Sequence, residues 1–478
     1  MLFAQDTNLV TTRGNQLSRE YLRPSLTSVY FYDGSVHTEN IASSLKEIQS
    51  EQFDLNVIQK NVFRLEVASE EELQVQIENA LNAMKLGNQI MKNWFPEFDY
   101  NEKAFTYRIL KERGKYAATD NDVLKAKASS TNDVLINMLG EKLIDRSYVK
   151  VYYLYQDAKT PKKVNVRAFV YKLDYNKEVA AVFNENFTRP DAIETGNFPI
   201  KYLVEAKTST YVEPDKEGKV DYMSKASIIY KSVYTKTAKL VADFKVQTTI
   251  VETAPVRAKI GSKEGLKIDD RYDIMELSVD GEGKEVARRK GVVRVSYVAD
   301  NQSLATGETT DLSKFHKYIG GGLQKGNALL QHPEFGFGVS AMATTNAYGA
   351  MLEYRTKIKP GFMAFLKYDV LSEDTNFSRA GLGVYQEKYF ARNFFFGFGV
   401  GGGSASYSED GDSEDGDSED DATKTYFGEG FGRFGILFGP TVQLFAQAGY
   451  SYYFNGYADY LNDEMKPIGL GLGLKISF

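Results

Sequence analysis

The sequence predicts a multidomain fold: an α+β region over residues 6–244, a small all-β module over 245–330, and an eight-stranded antiparallel transmembrane β-barrel over 331–478. Three observations carry this reading. Composition changes near residue 331, since 23 of the 40 Gly and 17 of the 30 Phe fall in the last 148 residues. That segment alternates apolar with small or polar residues at period two, over eight successive runs. The connections between those runs alternate in length.

The N-terminal region mixes helical and strand-like patterns. Ser69-Glu70-Glu71-Glu72 reads as a capping box, with Glu72 placed to bond back to the Ser69 amide. After it, Leu73, Ile77, Ala80, Leu81, Met84, Met91 and Trp94 recur at helical spacing and predict one amphipathic helix of about seven turns. Asp120 to Leu143 repeats the pattern through Val123, Leu124, Val134, Leu135, Met138 and Leu139. Val- and Tyr-rich runs at Tyr148 to Tyr155 and Val164 to Leu173 predict strands, and Tyr222 to Val241 predicts a further helix. Pairs of strands followed by helices point to α+β, not to a regular parallel βαβ array.

Between Lys245 and Lys325 short strand-like runs are separated by Gly turns. Ala258-Lys259-Ile260-Gly261 leads into Lys263-Glu264-Gly265-Leu266, then Tyr272-Asp273-Ile274-Met275-Glu276. A hairpin turn at Asp280-Gly281-Glu282-Gly283 returns the chain through Gly291-Val292-Val293-Arg294-Val295. This order is similar to the SH3-like C-terminal module of periplasmic proteins of the flagellar-assembly T type. The resemblance implies a small closed barrel; it rests mostly on turn glycines and implies no activity. Arg288-Arg289-Lys290 beside the hairpin reads as a solvated charged turn.

The last segment is clearest at its end, where Ile468, Leu470, Leu472, Leu474, Ile476 and Phe478 alternate with Gly469, Gly471, Gly473, Lys475 and Ser477. The pattern recurs in Phe335 to Thr344, Gly349 to Ile358, Gly361 to Leu371, Asn393 to Gly403 and Pro440 to Asn455. It is less clean in Arg379 to Lys388 and Lys424 to Phe438. Each run has about the 9 to 11 residues that a tilted strand needs to cross a bilayer. Short turns are read at Lys359-Pro360-Gly361, Phe390-Ala391-Arg392 and Gly439-Pro440. Longer polar loops are read at Thr344 to Tyr348, Ser372 to Asn376, Ser408 to Thr423 and Asn455 to Lys466. Short turns on one rim and long loops on the other are the pattern of an outer-membrane barrel. Both ends of the segment then lie on the short-turn side, and the preceding 330 residues are expected in the periplasm.

The segment resembles the eight-stranded membrane barrels of the outer-membrane protein A and X type. Terminal Phe478, after alternating apolar residues, matches the C-terminal signature such proteins present to the barrel-assembly machinery. In the outer-membrane protein A arrangement the soluble domain usually follows the barrel; here it precedes it, so the peptidoglycan-binding role of that family is not implied. A closed soluble sandwich is the competing reading, but soluble strands seldom keep an unbroken apolar outer face over eight segments. The opening Met1-Leu2-Phe3-Ala4-Gln5-Asp6 resembles the end of a Bacteroidetes-type secretory signal, which often ends in Ala before Gln. A frayed N-terminus reads equally well from these residues. No run of roughly 18 apolar residues predicts a membrane helix.

An eight-stranded barrel is just wide enough for side chains to fill it. Its inward positions hold Glu353, Arg355, Lys367, Asp369, Glu387, Glu429 and Arg433. They are expected to pair across the lumen, because an unpaired buried charge costs several kcal/mol. The expectation is a plugged anchor instead of a porin, with Glu429 and Arg433 structural. No Cys is present, which excludes thiolate zinc sites and cysteine nucleophiles. His37, His316 and His332 are too scattered in sequence for a His-rich metal cluster. Gly320-Gly321-Gly322-Leu323-Gln324-Lys325-Gly326 lacks phosphate-loop spacing, and neither Gly-x-Ser-x-Gly nor His-Glu-x-x-His occurs. No catalytic, cofactor-binding or metal residue is assigned, and no enzyme is predicted.

The formal net charge is −6, yet residues 408–421 alone hold nine acids and no base, in the repeat Ser408-Glu409-Asp410-Gly411-Asp412 and Ser413-Glu414-Asp415-Gly416-Asp417. Without them 55 acids face 58 bases, a net charge of +3. The segment reads as a solvated extracellular loop. Calcium binding is the competing reading, and its spacing departs from the EF-hand pattern. Without a strong basic excess, nucleic acid is not an expected partner. The expected partners are the outer-membrane bilayer and envelope proteins bound through residues 6–330, which suits an accessory subunit in assembly, secretion or transport. The alternative is a surface adhesin or ligand receptor acting through the outer loops.

Overall fold

The structure is a computed structural model. It describes residues 24–478 apart from 49–52, 57, 68, 95–97, 100–103, 106–143, 177, 180–197, 280–284, 303–310, 373–376, 408–424 and 464–466. The helix expected over Asp120 to Leu143, the turn at Asp280 to Gly283 and the acidic loop fall outside the described residues. The chain divides into two compact units. One comprises Met1–Thr248, Lys259–Gly265 and Ala299–Leu312; the other comprises Thr249–Ala258, Leu266–Val298 and Ser313–Phe478.

The first unit is built on a mixed sheet. β1 (Ser25–Tyr32) runs parallel to β2 (Asp54–Leu55), β3 (Val62–Arg64) and β6 (Ser147–Gln156). β6, β7 (Lys163–Leu173) and β8 (Ile200–Tyr211) pair antiparallel, giving the order β2-β1-β6-β7-β8. A separate small pair joins β4 (Phe98–Asp99) to β5 (Ala104–Phe105). Strand alternation sends Tyr30, Tyr152, Leu154, Val166 and Ala168 to one face. There they pack with Ile41 and Leu45 of α1 (Val36–Glu47). The opposite face carries Val29, Phe31, Val149, Val151 and Phe169. These meet Leu73, Ile77 and Leu81 of α2 (Leu73–Ala83) and Leu86 and Ile90 of α3 (Leu86–Trp94). A fourth helix, α4 (Tyr222–Leu240), adds Ile229 and Val233 to the α1 face. Because both faces of β6 and β7 are covered, these strands read as continuous Val/Tyr runs.

The single long helix expected after Ser69 is two helices. Ser69 Oγ accepts from the Glu72 amide at 3.4 Å, and Glu72 itself makes no side-chain cap bond as α2 begins. α2 ends at Ala83 with Met84 as its C-cap, and Lys85 adopts a left-handed φ of 47° before α3 starts. The break seats Gly87 against the Phe198 backbone so tightly that a Cβ would lie 2.1 Å from the Phe198 carbonyl oxygen. Tertiary packing has overridden the helical period.

Two closed barrels follow. β9 (Gln247–Thr253), β10 (Val256–Ala258), β11 (Arg271–Val279), β12 (Glu285–Tyr297), β13 (Ser313–Gly320) and β14 (Ala328–Gln331) close a six-stranded barrel in the order β10-β13-β12-β11-β14-β9. The eight-stranded barrel comprises β15 (Phe337–Thr344), β16 (Ala347–Arg355), β17 (Phe362–Leu371), β18 (Phe377–Phe390), β19 (Phe394–Tyr407), β20 (Thr425–Phe438), β21 (Val442–Phe454) and β22 (Ile468–Ser477). All its pairs are antiparallel in sequence order, and β22 closes onto β15. A short helix, α5 (Ala458–Asp463), lies in the last connection.

Two connections differ from expectation. The short turn read at Lys359-Pro360-Gly361 is part of a six-residue connection, 356–361, between β16 and β17. The longer loop read at Thr344 to Tyr348 is a tight turn, with only Thr345 and Asn346 between strands. Thr344 Oγ1 accepts from the amides of Asn346 and Ala347 at 3.3 and 3.0 Å, which folds the chain back at once. No helix among the described residues is long and apolar enough to cross a membrane.

Candidate functional site

The outer surface of the eight-stranded barrel is apolar. Leu352, Leu366, Leu382, Phe396, Phe398, Val400, Phe434 and Leu472 all point outward, with Leu382 66% and Leu472 65% exposed. An apolar patch beyond a few hundred Å² on a soluble protein marks an interaction surface. Here the apolar side chains encircle the barrel, which is the surface a bilayer covers.

Inside, period two brings the charges together in two sets. In the first, Arg379 reaches Asp369 with Nε and Nη2 at 2.7 and 2.8 Å, and Lys367 Nζ lies 2.9 Å from Asp369 while also pairing with Glu429. In the second, Glu353 accepts from Lys475 at 2.5 Å, Arg433 at 3.2 Å, Ser340 at 2.9 Å and the Tyr385 hydroxyl at 2.5 Å. Lys475 also reaches Glu387 at 3.3 Å. Each set has two acids and two bases and is neutral, as an interior that excludes water demands. The Arg433 guanidinium lies 4.5 Å from the centroid of the Phe445 ring and 5.0 Å from that of Tyr385. Arg379 and Lys475 were not among the inward charges read from sequence. The parity of their strands places both inside: Arg379 is register-paired with Asp369, and Lys475 alternates with Leu474 and Ile476.

Arg355 departs from the expected pairing across the lumen. Its Nη1 lies 2.6 Å from Asp269 Oδ2, in the segment that leads into β11 of the six-stranded barrel. Asp269 Oδ2 also accepts from the Gly361 amide at 2.9 Å, and Lys357 pairs with Asp270 at 2.5 Å. Arg294 grips Glu334 through both Nη atoms, at 2.5 and 3.0 Å, and lies 4.7 Å from the Tyr318 ring centroid. Beneath the ion pairs, Val292 and Tyr318 of the small barrel share one apolar cluster with Met342, Phe395, Leu437 and Phe445 of the large one. The small barrel therefore closes the short-turn end of the large barrel. Burial alone would raise Asp269, but Arg355 and Arg294 hold it below the usual carboxylate range. Burial would also raise Glu334, and Arg294 brings it down to about 2.

The three histidines lie in three environments. His316 stacks on Tyr389 at 5.8 Å, and burial pushes its ring down to about 4. His332 meets Asp273 at 3.0 Å, and His37 meets the Tyr222 hydroxyl at 2.9 Å. Among the described residues no group of three or more His, Asp or Glu is placed to hold a metal. The glycine run from Gly320 starts at the end of β13, where Gly320 packs so closely on β12 that a Cβ would lie 2.5 Å from Gly291 Cα. Arg288 and Arg289 are exposed on β12, while Lys290 pairs with Glu276 at 2.7 Å.

The opposite end is closed by α5. Leu461 and Ala458 pack with Leu371, Phe377, Phe427 and Tyr453, and the Asn462 amide clamps the Tyr453 backbone at 3.1 and 3.0 Å. Tyr457 and Tyr460 pack against Phe377 on one side and stay half-exposed on the other. The interior is thus filled by paired charges and rings between two closed ends.

No protein-family model matches the chain, and no curated protein matches it. Among solved structures the chain is similar to the crystal structure of the N-terminal β-barrel domain of Pseudomonas aeruginosa OprF, with 12% identity over 30% of this chain and 96% of that chain and a TM-score of 0.21. It is also similar to OmpT, an outer membrane protein of Vibrio cholerae folded in vitro, with 8% identity over 69% of this chain and 95% of that chain and a TM-score of 0.14. At these TM-scores neither likeness carries weight beside the barrel's own geometry.

Proposed function

We propose that this chain is a non-enzymatic outer-membrane protein whose barrel anchors interaction domains in the periplasm. One observation carries the reading: an apolar-coated eight-stranded barrel whose lumen is occupied by two neutral ion-pair sets and capped at both ends. A lumen so filled favours anchoring over transport of solutes. The short turns and both barrel termini lie on the side of the six-stranded barrel, which in this reading is the periplasmic side. The six-stranded barrel is then the SH3-like module, and with residues 6–244 it offers the surface for envelope partners. The chain serves as an accessory subunit of an assembly, secretion or transport complex.

The anchoring part is tested by fractionation and by gel mobility with and without boiling. A membrane fraction and a heat-dependent shift are expected; a soluble protein with one mobility ends the reading. The partner part is tested by native detergent purification, where recovery of the free monomer alone counts against it. A second reading, a surface receptor, is favoured by the half-exposed Tyr457 and Tyr460 at the end away from the small barrel. Deleting residues 408–423 and measuring surface binding separates the two.

A further inference from the structure

Lys150 lies in the middle of β6 with no exposed surface, on the sheet face that also carries Tyr148 and Tyr152. Among the described residues its Nζ has no hydrogen-bond partner. Instead the rings of Phe244 and Phe53 stand 5.1 and 5.4 Å away, edge-to-face with one another at 4.8 Å. Tyr148 packs edge-on against Phe244 at 4.9 Å. Phe244 belongs to a single 3-10 turn, Ala242–Phe244, that follows α4 and leads into β9. A side chain able to carry charge is therefore enclosed by an aromatic wall, and one panel of that wall sits on a short connecting turn.

Described titratable groups on the surrounding elements have other partners. On that same turn Asp243 accepts from the Tyr148 hydroxyl at 2.5 Å and lies 3.9 Å from Arg146. On α4 the Tyr234 hydroxyl bonds to the Phe244 carbonyl at 3.4 Å. On β7 Lys172 pairs with Asp145 at 2.8 Å. On β1 Tyr30 donates to the Leu45 carbonyl at 3.2 Å and stacks on Tyr152. Among the described residues no counter-charge is matched to the Lys150 amine, and burial lowers its pKa to about 7.

We propose that Lys150 and the Phe244 turn form a proton-coupled latch, in which the closed packing holds a neutral amine and opening of the turn admits water together with one proton. The open form binds a proton that the closed form lacks wherever the pH lies between the two affinities. Opening is then favoured about tenfold for each unit of acidification from about pH 10 to about pH 7, and is level below that. The latch works within the first unit and is independent of the anchoring proposed above.

The test is hydrogen exchange on the full-length protein in detergent, read by mass spectrometry on peptides covering β6 and the Phe244 turn and corrected for the intrinsic pH dependence of exchange. The opening constant should rise about tenfold per unit from about pH 9.5 to 7.5 and lose that slope in Lys150→Met. A pH-independent opening constant in the native protein, or an unchanged slope in Lys150→Met, overturns the proposal. Competitive acylation of the native protein gives an arm that needs no variant. Labelling of Lys150 should be flat over this range, because opening falls as fast as the deprotonated fraction grows. Exposed lysines should rise about tenfold per unit over the same range. A parallel rise of Lys150 with the exposed lysines also overturns it.

Discussion

Lys475 Nζ lies 2.5 Å from Glu353 Oε2 with neither side chain exposed, although β15 runs between the strands that carry them. The pair spans the closure of the barrel, because β22 joins β15 only when the last strand has docked. Lys475→Met would leave Glu353 with Arg433 and deprive Glu387 of its lysine. Removing one partner of a buried pair typically costs about 3–5 kcal/mol. The urea midpoint for loss of the fast-migrating unboiled band should fall clearly in Lys475→Met, and Glu387→Gln in that background should restore part of it. An unchanged midpoint would mean that the lumen is hydrated.

The contact of Arg355 with Asp269 joins the two barrels, so its loss should loosen one without melting the other. Arg355→Met leaves Asp269 with the Gly361 amide as its remaining short contact on Oδ2. Limited proteolysis should then cut within residues 249–330, while the fragment from 331 onward stays resistant and heat-shifting on gels. Equal sensitivity of native and variant proteins would show that the apolar cluster around Tyr318 and Phe395 suffices.

The eight barrel strands were legible because one apolar face repeats at period two, and the same parity exposed the inward charges other than Arg379 and Lys475. Their partners were less legible. Arg355 looks from sequence like any other lumen charge, and only the fold reveals that the loop holding Asp269 comes to the base of β16. The six-stranded barrel closes through β9 and β14, two short strands at its sequence ends whose pairing is non-local. Lys150 was hidden for another reason. Inside a Tyr/Val strand a lysine reads as the polar member of an alternation, but helices on both faces of the sheet leave it no solvent side. The break at Lys85 was hidden because the apolar period continues through it.

Acid should release the small barrel in two steps. His316 is held below its ordinary value, at about 4, so the folded form binds fewer protons than the unfolded one and stability declines as pH falls from about 6.5 to 4. Glu334 is a carboxylate held at about 2 against an ordinary 4.5; its stabilisation is complete above 4.5 and is lost as pH falls toward 2. Hydrogen exchange at β12 and β13, corrected for its intrinsic rate, should accelerate through both windows. Glu334→Gln should weaken the lower step and spare the upper one. A single transition indifferent to that substitution would refute the assignment.

Glycines on the inward face leave room for rings. A Cβ on Gly473 would lie 2.3 Å from an atom of the Phe445 ring, and one on Gly383 would lie 2.5 Å from Phe365. Phe445 is buried in the cluster that joins the two barrels, so it has no free space to retreat into. Gly473→Val should therefore overpack the lumen, costing about 1–3 kcal/mol or preventing closure altogether. Gly430 is different, since a Cβ there meets nothing within 4 Å among the described residues. Gly430→Ala should be neutral or slightly stabilising, because Gly is a poor strand residue. The measurement is the heat-shifting fraction after refolding in detergent, compared across both variants and Gly473→Val combined with Phe445→Leu. If the combined variant folds as poorly as Gly473→Val alone, ring accommodation is not what glycine does at this position.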